Sequence, residues 1–379
     1  MIALFAFLSA AFVIWRAVLT IPGKRPVLKC LLAVCVVLAA FKFQILHFFG
    51  GAMYFAPELP RSVLLVGAFI YAVHFIFFFL LLVSECCRLL LRSAAQILKR
   101  KVPETLHRGA KWINLILIVA AVVLSGVGMG YGTAFPEVKE VTFEIPGLPR
   151  RADDLKIVWL TDLHVDSMSD PERIEFLVAK VNALEPDLVL LGGDYVDGRV
   201  AALGKKLLPL AKLKSRLGVY GVPGNHEYYS GYQEWMSFLE EQCKVKMLVN
   251  TSFSPGAGIT LVGIGDSAGK RKNAPEANFR QAFKDVSVDD AVILLAHRPD
   301  IVHISSKMEV MLQLSGHTHG GMILGFDRIV RKVNGGFVSG KYIVSNTRLY
   351  VSNGTGIWSG FPIRLGRNAE ITLIKLERD

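Results

Sequence analysis

Four long apolar runs in the first third of the chain restrict its possible folds more than any other feature. They lie near residues 2–22, 28–49, 62–86 and 112–134. An α-helix needs about 20 residues to cross the hydrocarbon core of a bilayer, and each run approaches or exceeds that length. We therefore predict a membrane domain of four transmembrane helices over residues 1–134. We expect the first helix to remain uncleaved, because no basic segment precedes it.

The positive charge of the chain also lies almost entirely in this first third. Residues 1–135 contain 13 Lys and Arg against 3 Asp and Glu, whereas the remainder contains 30 against 29. The remainder is nearly neutral, so we expect membrane lipids but no nucleic acid among the partners. The pattern does not predict an oligomeric state.

The distribution of basic residues also predicts the topology. Residues 88–111 contain seven Lys and Arg, and basic loops stay on the cytoplasmic side of a membrane. We predict a multi-pass protein of the cytoplasmic membrane whose catalytic domain lies on the outer side, periplasmic or extracellular.

After residue 135 the pattern changes to short buried strands and amphipathic helices. Helices and strands alternate at first and strands dominate later, which is typical of two packed sheets flanked by helices. We predict a short tether and first strand over residues 135–154 and one α/β domain over residues 155–379. Predicted strands lie at 141–145, 155–160, 187–191, 218–222, 245–249, 258–264, 292–296, 310–314, 341–344, 349–351 and 371–376, and predicted helices at 171–184, 203–213 and 232–241.

Five short polar blocks each follow one of these predicted strands. They are Asp162-Leu163-His164, Gly193-Asp194, Gly224-Asn225-His226-Glu227, His297 and Gly316-His317-Thr318-His319. Ligands in layered α/β folds gather beyond the carboxyl ends of strands, so all five loops can reach one site. Carboxylate, amide and imidazole groups without a thiolate suit Mn, Fe or Zn in a catalytic centre.

In this order the five blocks resemble the signature of the calcineurin-like metallophosphoesterases. The chain looks most like the membrane-associated bacterial branch that hydrolyses phosphodiesters, and residues 349–356 and 362–365 resemble that branch too. The resemblance implies a four-layer α/β/β/α sandwich, preceded here by the four predicted transmembrane helices.

The resemblance also implies two divalent metal ions, Mn, Zn or Fe, and assigns their ligands. The first ion would be held by Asp162, His164 and His319, the second by Asn225, His297 and His317, and Asp194 would bridge the two.

Further roles follow for residues beside these ligands. His226 would protonate the leaving group or stabilise the charge of the transition state, and Asp197 would orient it. Arg199 and Arg298 are candidate contacts to phosphate oxygens, with ordinary solvated side chains as the alternative.

We expect a membrane-anchored phosphoesterase that hydrolyses phosphodiesters by two-metal hydroxide attack. A lipid-linked or envelope phosphodiester is our substrate hypothesis, because the loop after His319 places four apolar residues beside three basic ones. These are Met322, Ile323, Leu324 and Phe326 with Arg328, Arg331 and Lys332. The alternative is that the four apolar residues only continue the core. The alternatives are a phosphomonoesterase or nucleotide phosphodiesterase, and a non-catalytic metal-binding signalling or scaffold protein.

Overall fold

The structure is a computed structural model that describes residues 2–50, 54–100, 110–287, 289–358 and 360–379. The chain divides into two compact units, Met1–Gly130 and Tyr131–Asp379. Each unit has its own buried apolar residues.

The described part of the first unit is helical. Its helices are α1 (Ile2–Val13, continued by a π-helical turn at Ile14–Val18), α2 (Pro26–Ala40), α3 (Lys42–Gly50), α4 (Arg61–Ile97) and α5 (Ala110–Thr133). Large apolar side chains such as Leu8, Leu31 and Val119 remain exposed on these helices. Helices that are apolar on their outer faces are suited to contact with lipid.

The structure supports fewer membrane spans than the sequence predicts. Among the described residues, two helices are long and apolar enough to cross a membrane, Arg61–Ile97 and Trp112–Thr133. Helices α2 and α3 meet at a bend of 66°. If they form one broken span together, they add a third candidate span. The apolar helix Ile2–Val18 is shorter, so four transmembrane helices are not confirmed.

The prediction of a loop over residues 88–111 is wrong for its first ten residues, 88–97, which are helical. Helix α4 continues to Ile97, because the segment after Arg88 is rich in Leu, Ala and Arg, which favour the helix. Residues 101–109 of that predicted loop lie outside the described residues.

The helical unit buries a small ionic cluster. The carboxylate of Glu85 accepts from Arg88 at 2.7 Å and also pairs with the guanidinium of Arg16. In the same unit, the Ser9 hydroxyl lies 3.0 Å from Nε2 of the buried His74. Buried charges in an apolar environment are stable only when they are paired in this way.

The second unit is built on two mixed six-stranded sheets. The first sheet has the order β1-β12-β2-β3-β4-β5 and the second has the order β10-β11-β9-β8-β7-β6. The strands are β1 (Glu137–Ile145), β2 (Lys156–Leu160), β3 (Leu188–Leu191), β4 (Val219–Gly221), β5 (Lys246–Met247), β6 (Thr251–Gly256), β7 (Ile259–Gly263), β8 (Ala291–Leu295), β9 (Leu312–Ser315), β10 (Gly340–Val344), β11 (Thr347–Val351) and β12 (Glu370–Arg378).

The two sheets pack face to face, and helices cover their outer faces. One apolar cluster joins residues of both sheets, among them Trp159, Ile293 and Leu314. A second cluster packs the first sheet against helices, and smaller clusters lie on the other face of the second sheet. The helices are α6 (Arg173–Ala183), α7 (Val200–Leu207), α8 (Asn225–Ser230), α9 (Tyr232–Glu241), α10 (Gly269–Lys272), α11 (Phe279–Ala282), α12 (Val302–Ser305) and α13 (Asp327–Val333). The predicted pair of sheets flanked by helices is confirmed.

The structure differs from the predicted elements in several details. The strand predicted at 141–145 begins at Glu137, because its whole length pairs in parallel with β12. The helix predicted at 203–213 begins at Val200 and changes after Leu207 into a 3₁₀ helix over Leu208–Lys212. Pro209 explains this change, since proline lacks the amide hydrogen that an α-helix needs. Strand β6 and the short helices α8, α10, α11, α12 and α13 were not predicted.

Candidate metal centre

The polar blocks meet because the strands before them run in parallel. In the first sheet β2, β3 and β4 are parallel, so the loops after these strands leave from the same edge. In the second sheet β8 and β9 are parallel and end at a common edge as well. The two sheets thereby bring the five predicted blocks together in one site.

Most of the candidate ligands have an unusual backbone conformation. Five of them have a positive φ, namely Asp162 (57°), His164 (45°), Asp194 (53°), His317 (70°) and His319 (49°). A non-glycine residue in the left-handed region costs of order 1–3 kcal/mol, and such residues gather at functional sites. The fold therefore accepts local strain to direct these side chains inward.

Backbone amides hold the acidic ligands in place. The amide of His317 donates to both carboxylate oxygens of Asp162 at 3.1 Å. The preceding Gly316 permits this contact, because a Cβ there would collide with the Thr161 hydroxyl and the Asp162 carboxylate. In the same way the amide of His226 donates to Oδ1 of Asp194 at 2.8 Å.

The first cluster consists of Asp162, His164 and His319, whose ligand atoms converge in a buried space. Nε2 of His164 lies 3.0 Å from Nε2 of His319, and Nε2 of His319 lies 3.5 Å from Oδ1 of Asp162. The distance from Nε2 of His164 to Oδ1 of Asp162 is 4.0 Å. Three ligand atoms this close together can share one ion.

The second cluster consists of Asp194, His297 and His317. Nε2 of His297 lies 3.1 Å from Oδ2 of Asp194 and 3.2 Å from Nδ1 of His317. The same Oδ2 of Asp194 lies 3.6 Å from Nε2 of His164, so Asp194 stands between the two clusters. The buried Asn225 begins helix α8, and its Oδ1 accepts from Arg298 at 3.1 Å.

The hydrogen bonds of the remaining ring nitrogens show that these residues fit metal ions. Nδ1 of His297 lies 2.8 Å from the carbonyl of Gly192, which can only accept, so Nδ1 carries the proton. Its Nε2 lone pair then faces the carboxylate of Asp194. Nδ1 of His164 lies 3.0 Å from Asp197, which leaves the Nε2 lone pair of His164 facing the first cluster. A metal ion between these groups would satisfy the ring nitrogens and the carboxylates together. Without it the acidic neighbours favour a second proton on each ring: burial opposes the charge, but Asp194 raises the pKa of His297 to about 9, and Asp197 raises the pKa of His164.

Of the four candidate histidine ligands, two are held in the neutral form by their surroundings. Burial and the neighbouring His297 and Arg298 hold the pKa of His317 well below its usual range. Burial, His164 and Arg364 do the same for the pKa of His319. Both rings are therefore neutral, which is the form that binds metal.

His226 and Asp197 form a separate pair at the edge of the clusters. Nδ1 of His226 is hydrogen-bonded to Oδ1 of Asp197, and its Nε2 lies 3.9 Å from Oδ2 of Asp194. Burial opposes the charged form of this ring, but Asp197 and Asp194 outweigh it and raise the pKa of His226 to about 10. The ring therefore holds a proton in the metal-free site, and 14% of its side chain remains exposed toward solvent.

Arg298 is fixed by polar partners, in contrast to the solvated alternative. Its Nε donates to Asp266 at 2.7 Å, and its Nη1 lies 2.9 Å from Nε2 of His317. Arg298 therefore holds the ring of His317, a member of the second cluster, in place. Arg199 is exposed and immediately precedes helix α7, and its contact with phosphate stays a prediction.

Sequence reasoning left two supporting residues without a role. The buried Glu227 accepts from the amides of Asp194 at 2.9 Å, Tyr195 at 2.7 Å and Gly224 at 2.7 Å, so it joins the loops after β3 and β4. Asp266, the partner of Arg298, follows β7 as Gly265-Asp266. The same pattern of glycine and aspartate after a strand marks Asp194, and it could have identified Asp266.

Arg364 lies in the segment 362–365 that resembles the bacterial branch, but the sequence analysis assigned it no role. This buried guanidinium donates to the carbonyls of Asn353 and Gly356, both at 2.8 Å, and to the carbonyl of His319 at 3.4 Å. Burial lowers its pKa to about 10. Its contacts tie the tail of the chain to the loop of the first cluster.

Comparison with known proteins identifies the family. The calcineurin-like phosphoesterase family matches residues 155–321. An uncharacterized metallophosphoesterase of Campylobacter jejuni is 35% identical over 312 residues, which cover 82% of this chain and 80% of that protein. A metallophosphoesterase of Helicobacter pylori is 40% identical over 66% of each chain.

One relative is described by its name as a transmembrane protein. The transmembrane protein with metallophosphoesterase domain of Danio rerio is 30% identical over 83% of this chain and 72% of that protein. The blocks that converge in the candidate centre all lie within the residues that the family match covers. The chain therefore belongs to the calcineurin-like metallophosphoesterases, and it is a hydrolase of phosphoric esters.

Proposed function

We propose that the protein is a membrane-anchored phosphodiesterase that uses two divalent metal ions. The observation that carries this proposal is the meeting of two ligand clusters at Asp194, with His226 held beside both by Asp197. Asp162, His164 and His319 would hold the first ion, Asn225, His297 and His317 the second, and Asp194 would be shared. The donor set suits Mn, Fe or Zn.

When bound, such ions polarise the phosphoryl oxygens and lower the pKa of a water molecule so that it can attack phosphorus. The chain itself contributes the proton. As the new bond between water oxygen and phosphorus forms, the bond to the leaving oxygen breaks, and His226 gives its proton to that oxygen. Asp197 keeps the ring oriented and stabilises its charged form.

A lipid-linked or envelope phosphodiester is the substrate that we favour. Helix α13 has no buried residue, and it exposes Ile329 and Val333 beside Arg328, Arg331 and Lys332. Leu324, in the loop between His319 and this helix, is exposed as well. Exposed apolar side chains next to basic ones favour the boundary between acyl chains and anionic head groups.

The outer location of the catalytic unit and the four spans also belong to this proposal. Their support is the basic segment that begins at Arg88, together with α4, α5 and the bent pair of α2 and α3. A cysteine at the exposed Lys284 should react with a membrane-impermeant thiol reagent in intact cells. Cys243 will not compete, because burial raises the pKa of its thiol to about 12. Labelling that appears only after lysis would place the unit in the cytoplasm.

The test of activity uses the purified full chain. We expect it to hydrolyse an aryl phosphodiester, to lose this activity after treatment with a chelator, and to recover it with Mn, Fe or Zn. The matching aryl phosphomonoester should be the poorer substrate. A better rate on the monoester would favour the phosphomonoesterase alternative, and no metal-dependent rate on either would favour the non-catalytic one.

A further inference from the structure

A tyrosine stands next to the proposed proton donor, and two basic side chains lie close to that tyrosine. The ring of Tyr229 lies 5.5 Å from the ring of His226, and 45% of Tyr229 is exposed. Nζ of Lys272 lies 5.9 Å from the centre of the Tyr229 ring. The neighbouring Arg271 is close enough for its charge to act on the Tyr229 hydroxyl. We call Tyr229, Arg271 and Lys272 the basic rim.

The segment that carries the basic rim is held firmly against the site. The hydroxyl of Tyr228 donates to the carbonyl of Pro275 at 2.6 Å and accepts from the amide of Asp266 at 3.2 Å. Tyr228 belongs to the same helix as His226 and Tyr229. The helix with the candidate proton donor therefore also anchors the loop that bears Arg271 and Lys272.

Asn250 fixes the same segment from the other side. Its Oδ1 accepts from the amides of Gly265 at 3.1 Å and Asn278 at 2.9 Å, and its Nδ2 donates to the carbonyl of Glu276 at 2.7 Å. Both ends of the loop are thus bound by one buried side chain. The loop is a fixed part of the wall of the site.

The charges of the basic rim are not neutralised within the part of the chain that the structure describes. No carboxylate there forms an ion pair with Arg271 or Lys272, whereas Arg216 pairs with Asp187 at 2.8 Å and Arg367 with Asp327 at 2.7 Å. Unpaired cations beside a cleft attract anions. The hydrogen bonds of Tyr228 and Asn250 hold these two cations at the wall of the site, which distinguishes them from basic residues on a mobile surface segment.

The position of His226 determines which part of a substrate reaches the basic rim. Since His226 protonates the leaving oxygen in the proposed reaction, the residues beyond it contact the leaving group and not the transferred phosphoryl group. We propose that the natural substrate is a phosphodiester whose leaving alcohol carries a second anionic group, bound by Arg271 and Lys272 above the ring of Tyr229. This inference rests on the proposed function.

Two chromogenic esters of methyl phosphate test this proposal on the metal-loaded full chain. One releases 4-nitrophenol, and the other releases 4-hydroxy-3-nitrobenzoate, which carries an additional carboxylate. We expect the wild type to have the larger kcat/KM for the anionic leaving group. The double substitution Arg271→Ala/Lys272→Ala should lower the ratio of the two kcat/KM values about tenfold, since each unit of 1.4 kcal/mol corresponds to a factor of ten.

Lys214→Ala is the matched control for a change of surface charge. Lys214 is exposed and lies before β4, toward the end of the sheet opposite the site. It should leave both kcat/KM values as in the wild type. An unchanged ratio in Arg271→Ala/Lys272→Ala, or an equal fall of the ratio in Lys214→Ala, would overturn the proposal. Failure to hydrolyse the 4-nitrophenyl ester with metal bound would instead contradict the proposed function.

Discussion

The two ligand clusters are supported in different ways. In the first cluster, His164 is held through Nδ1 by the carboxylate of Asp197, which also holds His226. In the second cluster, His297 is held by a backbone carbonyl, and His317 contacts the guanidinium of Arg298. The first cluster is therefore coupled to the candidate proton donor and the second to Asp266. Substitutions in the two supports should have different consequences.

Asp194 belongs to the second cluster and also lies 3.6 Å from Nε2 of His164 in the first, so its loss should have the largest effect. Asp194→Asn should weaken both metal sites and lower kcat/KM by roughly a thousandfold, because bound ions contribute several kcal/mol to the transition state. Metal content measured by mass spectrometry, together with turnover, checks this expectation. His303→Ala is the control, since His303 is exposed and contacts the carbonyl of Gly335. Wild-type turnover and metal content in Asp194→Asn would show that Asp194 is not a ligand shared by two ions.

The next effect separates proton transfer from metal binding. His226→Ala should keep both ions and lose roughly a hundredfold or more in rate on substrates with poor leaving groups. The loss should be much smaller when the leaving group needs no proton. Equal losses on both kinds of substrate would show that His226 is not a general acid.

Asp197→Asn should combine the two defects, because Asp197 contacts both His164 and His226. We expect the affinity for metal to fall about 10–100-fold. The rate should also depend more steeply on the pKa of the leaving group than in the wild type. Titration of metal-free protein and a series of aryl esters measure these two quantities. If only the metal affinity or only the dependence on the leaving group changed, the first cluster would not be coupled to proton transfer through Asp197.

Arg298→Met is the counterpart in the second cluster and should have the smallest effect. It removes the contacts with Asp266, His317 and Asn225, so metal affinity should fall about tenfold, as for other residues that orient a ligand. The dependence on the leaving group should remain that of the wild type. If this dependence changed as in Asp197→Asn, the two supports would not be separate.

The strand-end pattern predicted much of the α/β unit from the sequence. Apolar runs such as Leu188–Leu191 are short and buried on both faces, and the polar residues after them can only lie at the edge of a sheet. The convergence of the five blocks follows from parallel strands. The roles of Glu227 and Arg364 could not be predicted, because their contacts depend on loops that meet only in the folded chain.

The helical unit was less predictable for a physical reason. Hydropathy measures the length of an apolar run, but it does not detect where a helix bends. The bend after Ala40 is an example. It also does not show that Arg16 and Glu85, which are far apart in the sequence, neutralise each other inside the unit.

The central claim is that activity requires two ions held at Asp194. Metal-free full-length protein should be titrated with Mn, Fe or Zn while bound metal and hydrolysis of an aryl phosphodiester are followed together. We expect full activity at two ions per chain, with little activity before the second ion binds. Full activity at one ion per chain, or without metal, would contradict the account.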